Sequence, residues 1–300
     1  MTHAPAVRHS VTPYFRHFFC APLLLIMPLM PLPDLDAYFQ RIQYTGPRDL
    51  TPETLHAISA AHVRHIPFEN LDILLGRPIS LHLPAIEKKL IRERRGGYCF
   101  EQNRYLLWVL ETLGFHARLL GARVRWKRPR HYVPARTHVF VLVELDNTGW
   151  LLDVGIGSLS LTSALVYAPG IEQTTPHDTR RIVQDGYNYY HQIRLGNEWH
   201  DVCDFTFAEV TTVDCEVANW YTCTYPDSTF RHHINVARAA LEGRRITLND
   251  NVFSLRDPGG HAHKRELSTH AELFSILNAH FGIRLPTGTR IDIPGVEWSD

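Results

Sequence analysis

Two periodicities divide the chain. Up to Gly114 apolar residues recur at helical spacing, and beyond it they alternate. Leu35, Tyr38, Phe39 and Ile42 share one helical face behind Asp34, whose side chain suits a helix cap. Gly46-Pro47 marks the end of that helix. Thr51-Pro52-Glu53 opens a second, with an N-cap and then proline at the first helical position, and it carries Leu55, Ile58, Val63 and Ile66. IPFENLDILLG (66–76) reads as a loop or short strand. Residues 85–94 predict a third helix with a charged outer face. After Gly96-Gly97 a fourth runs from about 98 to 113, with Leu106, Leu107, Leu110 and Leu113 on one side and Gly114 in the C′ position.

Past Gly114, Leu120, Ala122, Val124 and Trp126 alternate with Gly121, Arg123 and Arg125, a strand signal. VFVLVEL (139–145) and WLLDVGIG (150–157) predict two more strands around Asp146-Asn147-Thr148-Gly149. YNYYHQIRL (187–195) continues the β character. From Asn219 the signals mix: aromatic stretches, a short helix near 271–280 and a proline-rich tail. The order is helices, then strands, then a mixed segment, with no repeats.

A length of 300 residues with 44% hydrophobic content is enough for a core and for more than one domain. The 31 basic and 31 acidic residues cancel, so no long-range field draws the chain to nucleic acid or an anionic membrane. A small-molecule partner is the default. Five cysteines, at 20, 99, 203, 215 and 223, include no CxxC pair and are odd in number. Reduced thiols in a cytoplasmic protein are therefore expected, with neither a disulfide framework nor a metal site. His232, His233, His261 and His263 lie in polar surroundings and read as surface residues. Residues 18–33, FFCAPLLLIMPLMPLP, are apolar but interrupted by four prolines, too short and broken for a membrane helix. Residues 1–32 are expected to be a disordered or non-native extension, with Met27 or Met30 as the conventional start.

Within RRGGYCFEQN (94–103), Cys99 falls in the first turn of its helix. Free N–H groups and the positive end of the dipole stabilise a thiolate there, and Arg94 and Arg95 add positive potential. The preceding glycines let the backbone turn sharply and leave the sulfur uncovered on one side. A free cysteine is equally a small buried hydrophobe, and the residues alone leave both roles open.

A nucleophile needs a base and a group that orients the base. His138 and Asp153 fit by parity. With a two-residue turn at Asp146-Asn147, paired residues sum to 293, and Asp153 opposes Phe140. His138 is two residues away on the same face, one diagonal step of about 7–8 Å between Cα atoms. A longer bulged loop ending at Gly149 would move Asp153 to the other face. A carboxylate in the apolar run 150–156 is costly to bury alone, so it calls for a partner.

RGGYCFEQN, the Thr137-His138 pair before VFVLVEL, and DVGIG (153–157) together resemble the arylamine N-acetyltransferases. IPFENLD (66–72) and WYTCTYPDSTF (220–230) resemble further blocks of that family, in the same order and at similar spacing. The resemblance implies an α+β fold with a helical bundle over 33–115, an antiparallel β-barrel over 116–217 and an α/β lid over 218–300. At its centre stands a Cys-His-Asp core like that of cysteine proteases. It implies that Cys99 accepts the acetyl group, that His138 is its base and that Asp153 orients the histidine. The implied reaction is ping-pong: acetyl-CoA, a co-substrate and not a permanently bound cofactor, acetylates Cys99, and an arylamine, N-hydroxyarylamine or hydrazine takes the group away.

By the same resemblance Phe68 lines the acceptor pocket, although core packing explains it as well. Glu69 and Arg95 form a structural ion pair. Gly155 lets the backbone approach a ligand. Ile156 stands where the family usually has phenylalanine, which bears on acceptor choice. Gln102 replaces a common leucine, with little consequence expected. Thr222, Thr224 and Ser228 either touch CoA or cap turns. The Cys99 N–H is one oxyanion donor and the second is not identifiable from sequence. A papain-like or transglutaminase-like cysteine hydrolase is the alternative, because the same three residue types serve it in the same order.

Overall fold

The structure is a computed structural model and describes residues 31–258 and 260–299. Residues 1–30 of the expected amino-terminal extension, with the two candidate start methionines and Cys20, lie outside the described residues. Asp34 caps α1 (Leu35–Ile42) by accepting the Ala37 N–H, but the helix stops at left-handed Gln43 (φ 54°), earlier than Gly46-Pro47. Thr51 caps α2 (Pro52–His65) through the Thr54 N–H. IPFENLDILLG resolves into β1 (Phe68–Glu69) and α3 (Leu71–Leu74). The expected third helix is two pieces: α4 (Leu83–Glu87), then a π turn over Lys88–Arg92. Helix α5 (Cys99–Leu113) ends at Gly114 with φ 100°, as its sequence predicts.

The central segment holds β2 (His116–Val124), β3 (His138–Leu145), β4 (Thr148–Leu152), β5 (Leu165–Val166), β6 (Gln173–Thr174), β7 (Thr179–Asp185), β8 (Asn188–Leu195) and β9 (Glu198–Glu209). Their antiparallel order is β5-β4-β3-β2-β9-β8-β7-β6. The two edges are consecutive in the chain, and the Gln173 amide bridges them, accepting from Val166 N at 2.7 Å and donating to Val166 O at 2.9 Å. The result is a nearly closed barrel. Helix α6 (Thr212–Thr224) follows, so a division after residue 217 falls within a helix. Next come β10 (Asn235–Ala239), β11 (Arg245–Asn249), β12 (Val252–Arg256), β13 (Ala262–Glu266) and α7 (His270–Phe281). A second sheet runs β1-β10-β11-β12-β13, so a strand from the helical segment forms an edge of the lid sheet.

The β3–β4 hairpin fixes the candidate site. Asp146 and Asn147 both have positive φ (50° and 58°), the signature of a two-residue type I′ turn. Val143 pairs with Trp150 and Val141 with Leu152, each pair summing to 293. The strand ends at Leu152, so Asp153 leaves the ladder with its carboxylate free to turn inward. Cys99 lies in the cluster that joins α1, α2 and α5 to one face of β3; Phe140, Leu142 and Phe205 fill the barrel interior. No helix among the described residues is long and apolar enough to cross a membrane.

Two buried histidines make stability acid-sensitive. Burial pushes His62 and His191 each down to about 3, with the charge of Arg180 adding to the effect at His191. A folded value below the unfolded one stabilises above the unfolded value of about 6.5 and is lost as pH falls. Between pH 7.5 and 5 the two together are expected to remove about 4 kcal/mol, readable as a lower denaturant midpoint. An unchanged midpoint would show that these rings are not held neutral.

Candidate active site

The loop before Cys99 is held by a buried charge network. Arg95 donates to both Glu69 oxygens, Nε to Oε1 at 2.8 Å and Nη2 to Oε2 at 2.9 Å, and to Asp72 at 3.1 Å. Lys89, in the π turn, reaches Asp72 at 2.8 Å and Glu101 at 2.7 Å. Glu101 in turn accepts the Tyr98 N–H at 3.0 Å. Burial pushes the Asp72 carboxyl up, but Lys89 and Arg95 outweigh it and the net direction is down. For Glu101 burial prevails over Lys89 and the net direction is up. The expected Glu69–Arg95 pair is present, and the Arg95 guanidinium is directed to Glu69 and Asp72.

The sharp turn belongs to Arg94, the residue with left-handed φ (54°), and not to the glycines. Gly96 serves close packing instead: a Cβ there would lie 2.1 Å from the Pro67 carbonyl oxygen. Gln102, where little consequence was expected, is fully buried. It bonds His62 Nε2 at 3.1 Å and donates to the Gly97 carbonyl at 2.6 Å, so it ties α2 to the loop that presents Cys99.

Cys99 is the first residue of α5 and is only 3% exposed. Burial pushes the thiol well up, and the Asp153 charge acts in the same direction. The backbone N–H groups of Val139 and Phe100 pull it down without reversing the balance. The helix terminus therefore does not by itself supply a thiolate, contrary to the local expectation. Such a thiol needs a neighbouring proton acceptor.

His138 opens β3, and its Nε2 lies 2.7 Å from Asp153 Oδ2. A carboxylate only accepts, so Nε2 carries the proton and Nδ1 is left as the ring's acceptor. Burial pushes the Asp153 carboxyl up, but His138, Asn103 and the Gly155 N–H hold it below its ordinary value. Asp153 Oδ1 accepts from Asn103 Nδ2 at 3.0 Å and from Gly155 N at 3.1 Å. Asn103 also donates to Val139 O at 2.7 Å and accepts from Val154 N at 3.0 Å. Sequence reasoning missed Asn103, although it stands four residues after Cys99 on the same helix face.

Cys99 and His138 open onto one cavity of about 780 Å³, also lined by Phe68, Gly155, Ile156 and Thr222. Asp153 lies behind it. Phe68 is buried against Phe230, whose ring centroid is 6.1 Å away, so it is both core and wall. The Thr222 hydroxyl donates to Ala218 O at 2.8 Å and that of Thr224 to Trp220 O at 2.6 Å. Ser228 donates to Thr222 O at 2.6 Å. All three hydroxyls thus bond local backbone, and Thr222 and Ser228 line the cavity.

A family model described as N-acetyltransferase matches residues 51–290. An arylamine N-acetyltransferase of Escherichia coli K12 is 37% identical over 251 residues, 84% of this chain and 89% of its own. The chain belongs to the arylamine N-acetyltransferase family. The solved enzyme of Salmonella typhimurium superposes with a TM-score of 0.81 at 34% identity, over 87% of this chain and 96% of its own. The Mycobacterium marinum enzyme, solved in complex with CoA, gives 0.80 at 33%, over 83% and 93%. These matches place the chain among acyltransferases and set the cysteine-hydrolase alternative aside.

Gly155 lines the cavity of this acetyltransferase and also packs against the helix behind it. A Cβ there would lie 2.6 Å from Cys99 Cα and 2.8 Å from Asn103 Nδ2. Its bare backbone admits the helix of the candidate nucleophile. Gly155→Ala is expected to push that helix away and to lower turnover by about 100-fold, as ångström-scale misplacement of reacting groups does. Wild-type turnover in that variant would show that the contact is slack.

Proposed function

We propose that the enzyme transfers acetyl groups from acetyl-CoA to arylamines, N-hydroxyarylamines and hydrazines, in the cytoplasm, through an acetyl-Cys99 intermediate. The observation that carries this reading is the buried His138–Asp153 pair at 2.7 Å, with His138 and Cys99 lining one cavity. The three parts 33–115, 116–217 and 218–300 would supply the nucleophile, the base with its orienting acid, and the cover.

His138 Nδ1 takes the Cys99 proton as the sulfur attacks the thioester carbonyl. The tetrahedral oxyanion is met by N–H groups at the start of α5, the Cys99 N–H among them. Its collapse breaks the carbon–sulfur bond to CoA, and the imidazolium returns its proton to the departing thiolate. The acceptor then attacks acetyl-Cys99 as His138 removes its proton; the second collapse releases the amide (or, from an N-hydroxyl oxygen, the ester), and the imidazolium returns the proton to the departing Cys99 thiolate. Asp153 stabilises the imidazolium in both halves without being protonated. Phe68 and Ile156 bound the acceptor.

Incubation with acetyl-CoA alone, followed by a quench and peptide mapping, should find one acetyl group on Cys99 and none in His138→Ala. Transfer without that adduct would overturn the ping-pong reading. Ile156→Phe adds an aromatic wall at the position where the family usually has one. It is expected to favour small arylamines over bulky ones by about tenfold in relative kcat/KM, the scale of a changed apolar pocket wall. Unchanged relative kcat/KM would remove Ile156 from the acceptor site.

A further inference from the structure

His261 and His263, ordinary surface positions by sequence, acquire a third partner in the fold. Strands β12 and β13 pair antiparallel, with Arg256 opposite Ala262 and Leu255 opposite His263. The next pair beyond the ladder is Asp257 and His261, joined by Asp257 N–H to His261 O at 2.9 Å. Side chains two residues apart on a strand share a face, so His261 and His263 lie together. Asp257 faces one directly and the other diagonally. The two imidazole centroids are 4.6 Å apart, and His263 Nε2 lies 3.5 Å from Asp257 Oδ2. One ligand atom from each of the three falls within 4.8 Å of the others.

We propose that Asp257, His261 and His263 form a surface site for a first-row divalent cation such as Co²⁺, Ni²⁺ or Zn²⁺. Two imidazoles and one carboxylate suit these ions, while Mg²⁺ and Ca²⁺ prefer all-oxygen sets. Donors at about 2.1 Å from one ion lie about 3–4 Å apart, so small side-chain rotations close the site. The histidines are exposed and free to make them. Three donors leave at least one position for water, and the bound ion cross-links β12 to β13. The site lies on the lid sheet and uses none of the residues assigned to acetyl transfer.

Titration of the metal-free full-length enzyme with Co²⁺, followed by calorimetry and by the ring resonances of ¹⁵N-labelled histidines, tests this. His261 and His263 should shift first, with saturation at one equivalent. Loss of even an outer-shell partner typically costs about 10–100-fold, so His261→Ala, His263→Ala and Asp257→Asn should each weaken binding by at least ~10-fold. Each variant should keep its acetyl-transfer rate, which reports the fold. Other histidines shifting first, or an unchanged isotherm in the double His261→Ala/His263→Ala variant, would overturn the site. Full affinity in Asp257→Asn would overturn the three-donor assignment. If a variant failed to fold, the order of resonance shifts in the unmodified enzyme would still decide.

Discussion

Replacing Cys99 by serine is expected to reduce acetyl transfer by on the order of 10⁴-fold or more, the scale seen when a covalent nucleophile is removed. The thiol already needs a base, because burial and the Asp153 charge hold its proton on. A hydroxyl in the same place is far less acidic and a poorer nucleophile toward a thioester. No other described cysteine can take over: Cys203 and Cys215 are buried, Cys223 is half-buried, and none of them lines the cavity. The exchange removes little volume, so the folded near-ultraviolet circular dichroism and the melting temperature should stay close to wild type. Activity within tenfold of wild type would exclude Cys99 as the acetyl carrier. Loss of the folded signal would show instead that the residue serves packing.

The part of the site that sequence made legible was set by strict periodicity. Side chains on a strand alternate with period two, and a two-residue turn fixes the register, so His138 and Asp153 were placed on one face without coordinates. The helix caps at Asp34, Thr51 and Gly114 were legible for the same local reason. What escaped was non-local. Strand β9 hides its pattern because its register against β8 shifts at Val202, so Val202 and Cys203 are both buried although they are adjacent in the chain. Lys89, in the π turn, pairs with two carboxylates from different elements, a contact that no local pattern announces. The contact of Gly155 with Cys99 joins residues 56 positions apart. A helix terminus, visible in sequence, favours a lowered thiol; burial, which is not visible there, raises it.

Motif order implies roles for Cys99, His138 and Asp153, but not what fixes their geometry. Asn103 bonds Asp153, Val139 and Val154, so one amide ties the helix of Cys99 to the strand of His138 and the loop of Asp153. Arg95, Lys89 and their three carboxylates hold the other side of that helix start. The three candidate residues are thus braced from two directions.

Asp153→Asn should be nearly as damaging to activity as loss of the nucleophile, by a different route. The carboxylate accepts three donors: His138 Nε2, Asn103 Nδ2 and the Gly155 N–H. An asparagine has one accepting oxygen and one donating NH₂. With its oxygen toward Asn103 and Gly155, its NH₂ faces His138 and forces Nε2 to accept. The ring proton then moves to Nδ1, the nitrogen that must receive the Cys99 proton. The imidazolium formed during attack also loses its counter-charge. A comparable exchange in a serine-protease triad costs about 10⁴-fold in turnover, so a loss of about 10³–10⁴-fold is expected here. Stability should change little, because removing a buried charge offsets the weakened hydrogen bonds. Ring ¹⁵N shifts of His138 should report the Nε2–H tautomer in the wild type and Nδ1–H in the variant. Turnover within fivefold of wild type, or an unchanged tautomer, would sink the assignment of Asp153 as the residue that orients the base.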